Sequence, residues 1–210
     1  MTDSLYFDTD CISSFLWVHE ERVLTRLYTG KIIIPQQVYN ELSYPGIIHL
    51  KTRLDLLIDG GDAAIQPIFI DTPEFTLYRK LTSSPDEGHS IIGKGEAAAL
   101  TLASVLNGTV ASNNLRDVAS YISKLGLRHI TTGDILSNAL EASLITESEG
   151  NSLWSAMLAK KRKIGPASFT EFLLNSKKNN RSEMSSETEE PGCWGRAQAE
   201  AGGDGAAGVK

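Results

Sequence analysis

The chain has 210 residues, 41% of them hydrophobic, with a formal charge of −6 at pH 7 and two cysteines, Cys11 and Cys193. Such a composition sustains one core of ordinary domain size plus an extra segment. It excludes a protein that coats nucleic acid by bulk positive charge, while leaving room for a local basic patch. It also speaks against a disulfide framework, and no apolar run approaches the roughly 20 residues that span a bilayer.

"MTDSLYFD" has no basic region leading into an apolar stretch, so no secretory signal is expected, and the cytoplasm is the expected compartment. "LYF" (5–7) reads as a strand, followed by a helix from about Cys11 to His19. "KIIIP" (31–35) is a buried-strand run closed by Pro35, with "QQVYNELS" helical after it. The i, i+3, i+4 spacing of "IIHLKTRLDLLID" (47–59) predicts a helix. "AIQPIFI" (64–70) is a strand that Pro67 assigns to a sheet edge, and "PEFTLYRKL" is helical. "KGEAAALTLASVLNG" (94–108) is a helix stopped at Asn107-Gly108. "TVAS" (109–112) is a strand and "LRDVASYISKLG" a helix ended by Gly126. "HITT" (129–132) is the last strand, and helices follow over "DILSNALEAS", 147–162 and 167–176.

Strands alternating with helices predict an α/β fold: a parallel central sheet with right-handed crossovers and helices on both sides, a three-layer α/β/α arrangement. The domain is expected to span 1–175. Residues 176–210, polar and rich in Gly, Ser and Glu, read as a disordered low-complexity tail, because they bury too little apolar area to offset their ordering entropy. In open parallel sheets, function collects at the carboxyl ends of the strands.

Acidic residues recur near those ends. Asp8 and Asp10 follow the first strand, and Asp117 opens the helix after "TVAS". Glu41 closes the helix after the second strand, and Glu96 begins the helix of 94–107. Each has a structural reading. Asp10 is placed to cap the helix after it, and Glu96 suits the positive end of its helix dipole. "NLRD" fits a capping box of Asn114 and Asp117, and "TTGD" offers Asp134 the same. Glu41, late in its helix, opposes the dipole and is the least well explained in this way.

Taken together, the acids form a pattern that resembles the PIN-domain nucleases, particularly the toxin-like bacterial and archaeal members. "LYFDTDCISSFL" is similar to the opening motif of that family, with Asp10 where Asn is usual. "IIIPQQVYNEL" resembles the second, its acid being Glu41. "GKGEAAALTLA" resembles the third, with Glu96 where many members have Asp. "ASNNLRDV" resembles the fourth, Ser/Thr-x-Asn-x-x-Asp, ending at Asp117. The four occur in order over residues 4 to 135, and the stretch from "LEASLIT" to "ASFTEFL" resembles the C-terminal helices of one subgroup.

The resemblance implies a metal-dependent ribonuclease with Asp8, Glu96 and Asp117 as direct Mg²⁺ or Mn²⁺ ligands. Glu41 would bind a second ion or orient the water. Ser112 or Asn114 would hydrogen-bond a ligand carboxylate or a phosphate, and Asp10 would stand in the outer shell. It further implies an RNA substrate, a toxin–antitoxin pairing with an antitoxin protein, and a homodimer. Chemistry agrees, since hard divalent cations prefer oxygen ligands and no His/Cys cluster suits zinc.

"AKKRK" (159–163), with Arg116, Lys124 and Arg128, is the candidate rest for the substrate backbone; a solvated helix end with dipole-matched basic residues explains the run equally. Trp17 and Trp154 read as core or partner-facing. Two other readings compete. Asp-x-Asp after a strand also resembles haloacid-dehalogenase-type phosphatases, which need a downstream Lys and a paired-acid loop, where "TTGDIL" supplies only Asp134. The other is a non-catalytic PIN module binding RNA or protein, against which the presence of all four acids argues.

Overall fold

Leu5 and Phe7 face one side of the first strand and Tyr6 the other, yet all three are buried. A strand alternates its side chains, so this pattern requires a sheet covered on both faces. The computed structural model, which describes residues 3–85 and 90–186, shows that sheet. Five parallel strands, β1 (Leu5–Phe7), β2 (Ile32–Pro35), β3 (Ala63–Gln66), β4 (Thr109–Ala111) and β5 (Arg128–Ile130), lie in the order β3-β2-β1-β4-β5. The register pairs Leu5 with Ile32 on one side and with Thr109 on the other. β3 lies at an edge, as Pro67 just beyond it suggests.

Among the described residues ten α-helices cover the two faces. α1 (Thr9–Val18), α2 (Glu21–Leu27), α4 (Ile48–Asp59), α8 (Thr132–Glu141), α9 (Glu147–Ala159) and the first turns of α10 (Phe169–Ser186) contribute to the larger core with Phe7, Ile32 and Ile34. α5 (Pro73–Ser83), α6 (Lys94–Val105) and α7 (Leu115–Leu125) pack with Tyr6 and Val110 on the other face. α3 (Gln36–Glu41) follows β2, and a 3₁₀ turn at Pro45–Ile47 leads into α4. Burying a side chain such as Phe7 contributes about 1.5–3 kcal/mol, so the β1 triplet is a large fraction of net stability.

One helix and the end of another depart most from the sequence expectation. α2 was not foreseen: at seven residues it is too short to be stable alone. Tertiary contact holds it, with Val23 and Leu24 buried and Arg53 of α4 donating to Glu21, Nη2 to Oε2 at 2.7 Å. α10 continues to Ser186, beyond the expected end at 176, because extending a formed helix carries no nucleation cost and no Gly or Pro intervenes before Pro191. Contacts divide the chain into one unit through Leu174 and another from Asn175. Most of the expected tail, 187–210, lies outside the described residues. No helix among the described residues is long and apolar enough to cross a membrane.

Strand order reverses at β1, since β2 and β3 lie to one side and β4 and β5 to the other. The carboxyl ends of β1 and β4 therefore flank a crevice, the place where such sheets put their sites.

Candidate active site

Asp8 leaves β1 at that crevice and is the N-cap of α1, its Oδ1 accepting from the Cys11 amide at 2.6 Å. The expectation that Asp10 caps this helix is thus corrected by two residues: Asp10 lies in the first turn, and Asp8 has the extended backbone a cap requires. Asp8 is fully buried, and its Oδ2 has no hydrogen-bond partner. Burial pushes the carboxyl up to about 7; the Ser112 hydroxyl and the Cys11 amide pull it down, and Asp10 and Glu96 push it up. Of the two that pull it down, only the Cys11 amide meets hydrogen-bond geometry at Asp8, so buried Ser112 acts as a nearby dipole.

Glu41 ends α3, where its own dipole disfavours it, but its carboxylate serves another helix. Oε1 accepts from the Gly95 amide at 2.9 Å, in the first turn of α6, and Oε2 accepts from the Thr9 hydroxyl. The acid that seemed to oppose a dipole complements the N-terminus of α6. Gly95 makes this possible: a Cβ there would lie 2.8 Å from both Glu41 Oε2 and Thr9 Oγ1.

Glu96 accepts from the Gly93 amide at 2.9 Å through Oε2, the N-terminal role its position suggests. Its Oε1 accepts at 2.7 Å from Nδ2 of Asn114, and the same nitrogen donates to Asp117 Oδ2 at 2.8 Å. The expected capping box of Asn114 and Asp117 is absent: the Asn114 side chain caps nothing and bridges two carboxylates, because an amide NH₂ has two protons to offer. Asn114 is set by its own amide donating to Ser112 Oγ at 3.2 Å. Asp134, by contrast, completes a capping box with Thr131.

These residues line two adjoining clefts. The first, about 200 Å³, is walled by Asp8, Thr9, Asp10, Glu41, Gly95 and Glu96, with Arg162. The second, about 530 Å³, shares Asp10, Glu96 and Arg162 and adds Asn113, Asn114, Asp117, Arg116, Lys161 and Lys163. The sheet therefore gathers five acids from four remote stretches. Even so, among the described residues no three Asp, Glu, His or Cys side chains are grouped tightly enough to hold an ion as they stand. Hydrogen bonds occupy the acids instead: Thr9 and Gly95 engage Glu41, Gly93 engages Glu96, and Asn114 stands between Glu96 and Asp117. The donor set nevertheless fits a hard divalent cation. It is all oxygen, and Asp8 Oδ2 is an orphaned buried acceptor on the cleft wall.

Sequence reasoning missed Thr9 and Gly95, and it had Arg162 within the basic run 159–163 without its bond to Asp10. Gly95 had a signal, since a glycine inside an alanine-rich helix costs stability and marks a close approach. Of the basic candidates, Arg116 lines the second cleft, whereas Lys124 and Arg128 line depressions elsewhere. Trp154 is core, as expected, and half-buried Trp17 packs edge-on against His49.

Comparison of the sequence with curated proteins finds no match. A family model described as PIN domain matches residues 5–178, a span that holds every strand and every acid named above, and PIN domains are generally nucleases. On that match and this fold, the chain belongs to the PIN-domain family.

Proposed function

We propose that the protein is an Mg²⁺- or Mn²⁺-dependent endoribonuclease that hydrolyses RNA phosphodiester bonds, acting as the toxin of a toxin–antitoxin pair. The observation that carries the reading is the unpartnered, fully buried Oδ2 of Asp8 on the wall of a cleft shared with Asp10, Glu41 and Glu96. A helix cap needs one oxygen, and Asp8 already uses Oδ1 for that. The second oxygen is buried at a cost of about 1–3 kcal/mol or more with no structural return. An electrophile in the cleft accounts for it.

Asp8, Glu96 and Asp117 would hold the ion, which when bound stabilises charge on the phosphoryl oxygens and lowers the pKa of a water. Glu41, fixed by Thr9 and Gly95, presents a rigid carboxylate able to orient that water or meet a second ion. Asn114 sets the spacing of Glu96 and Asp117. Ser112 and Asn114 support the ligands rather than supply them. The homodimer and the antitoxin partner are carried by the family resemblance.

The test is cleavage of RNA with and without EDTA, comparing wild type with Asp8→Asn. Cleavage that needs the divalent ion and vanishes in the variant supports the reading. Undiminished metal-dependent cleavage by Asp8→Asn refutes it. A folded protein with no cleavage and no calorimetric heat for Mg²⁺ or Mn²⁺ favours the non-catalytic binding module.

A further inference from the structure

The basic run at the end of α9 does not act as one patch. Lys160 turns away from the clefts and sits over the Trp17 ring, 5.4 Å from its centroid. Lys161 then adopts a left-handed backbone, φ 61°, and the helix closes with the Lys161 amide donating to Leu158 O at 2.8 Å and the Arg162 amide to Met157 O at 3.1 Å. This is a Schellman ending with a lysine where glycine is the comfortable residue. The next residue, Arg162, lines the acidic cleft.

Arg162 is fixed there. Nε donates to Lys160 O at 3.3 Å, and Nη1 donates to Asp10 Oδ1 and to Ser13 Oγ, each at 3.2 Å. Nη2 has no hydrogen-bond partner among the described residues, and Arg162 forms part of the wall common to both clefts. Arg116, Lys161 and Lys163 stand around the second cleft without ion pairs among the described residues. A guanidinium anchored through Nε and Nη1, with Nη2 left to donate, suits a phosphate oxygen, and three further cations beside it suit a chain of phosphates. The family's usual Asn is Asp10 here, and an acid at that place gives Arg162 a charge-assisted anchor that a neutral amide would not.

We propose that the trough lined by Arg116, Lys161, Arg162 and Lys163 is the subsite for RNA backbone phosphates flanking the bond to be cut, with Asp10 as the residue that positions Arg162. This assignment rests on the nuclease reading for the phrase "to be cut", and on the trough alone for binding. It moves Asp10 out of the metal's surroundings and gives it a different task.

The experiment is fluorescence anisotropy of a short labelled single-stranded RNA with the full chain carrying Asp8→Asn, in Mg²⁺ over a range of salt. Alongside it, KM and kcat for RNA cleavage are measured in the otherwise wild-type chain. Arg162→Ala is expected to weaken binding about tenfold and to lower the salt slope by about one. In cleavage it should raise KM more than it lowers kcat. Asp10→Asn, which leaves Nη1 only a neutral acceptor, should fall part of the way towards Arg162→Ala, and Asp10→Ala should fall further. Circular dichroism checks that each variant is folded.

Unchanged or tighter binding by Arg162→Ala, with wild type still cutting RNA, overturns the subsite and leaves the nuclease reading standing. Loss of binding by Arg162→Ala, in a protein whose wild type cuts no RNA, upholds the subsite and removes the nuclease reading. No RNA binding by the parent at low salt overturns the subsite, and cleavage by wild type decides the nuclease reading separately.

Discussion

The acidic cleft and the basic trough are neighbours built by opposite means. Each acid of the cleft is delivered by a strand end or a helix terminus and is tied by identifiable bonds: Asp8 to Cys11, Glu41 to Thr9 and Gly95, Glu96 to Gly93 and Asn114. In the trough, Arg162 alone is tied, and Arg116, Lys161 and Lys163 are surface side chains. The difference matches two demands. Charge developing in a reaction is best met by groups already in place, whereas a flexible polyanion is held adequately by mobile cations, since the gain comes largely from counterion release. Removing a charge from the cleft should therefore alter rate and stability together, and removing one from the trough should act mainly on binding.

The sharpest way to break that contrast is Asp8→Asn. Asn is an equally good helix cap, so the variant should fold, while RNA cleavage falls on the order of 10³-fold, the scale of losing a preorganised group that stabilises transition-state charge. Without metal it should be more stable than wild type at neutral pH by a few kcal/mol, since a buried carboxyl with a pKa near 7 no longer has to ionise. Thermal melts in EDTA check this, and a lower midpoint would show that Asp8 is a structural acid.

Gly95→Ala tests whether the cleft depends on how Glu41 is held. The new methyl would meet Glu41 Oε2 and Thr9 Oγ1 at 2.8 Å, so the carboxylate must leave its seat. A loss in kcat of about 10²-fold is expected, similar to Glu41→Gln, since small displacements at a site cost that much. If Gly95→Ala cuts RNA normally while Glu41→Gln does not, Glu41 acts without its present anchors.

Asn114→Ala removes the bridge between Glu96 and Asp117. Metal affinity, measured by calorimetry, should fall about 10–100-fold, the usual effect of losing a residue that orients ligands. An unchanged affinity would mean that the two carboxylates do not share an ion.

Lys161→Gly separates the two regions most directly. Relief of the left-handed backbone should raise stability by about 1 kcal/mol, partly offset by the lost cation at a helix C-terminus. RNA binding should weaken a few-fold at the same time. Parallel losses in both would place Lys161 in the fold rather than in the trough.

The smallest effect concerns His129, whose ring donates through Nε2 to the Ser112 carbonyl at 2.8 Å, a carbonyl being able only to accept. Burial lowers its pKa below 6.5, against the opposing pull of that hydrogen bond and of Asp134. The folded chain therefore binds fewer protons than the unfolded chain as pH falls through about 6.5, and stability from this group is present above that pH and lost below it. The difference in stability between wild type and His129→Gln should change across that window; a constant difference would mean the ring keeps its ordinary pKa.

The strands, the parallel order and the positions of the acids were legible in the sequence because they rest on local pattern. Runs such as "LYF" and "IIIP" are short and wholly apolar, and strict alternation with helices admits few topologies. Thr131 and Asp134 were equally legible as a capping box, since all its partners lie within four residues. Two of the misreadings, Glu41 and Asn114, share one cause. Glu41 looked misplaced until α6 supplied its partner, 54 residues away, and Asn114 looked like a cap until Glu96, 18 residues back, took one of its protons.

By itself the sequence determined which elements form, α2 apart, which faces they bury and which acids reach the strand ends, because hydrophobic periodicity and termination are properties of neighbouring residues. Only the tertiary structure decided what those acids touch, that Asp8 keeps one oxygen unpartnered, and that Arg162 arrives at Asp10 from 152 residues downstream. Contacts between remote segments depend on how the layers close over the sheet, and no local spacing encodes that closure.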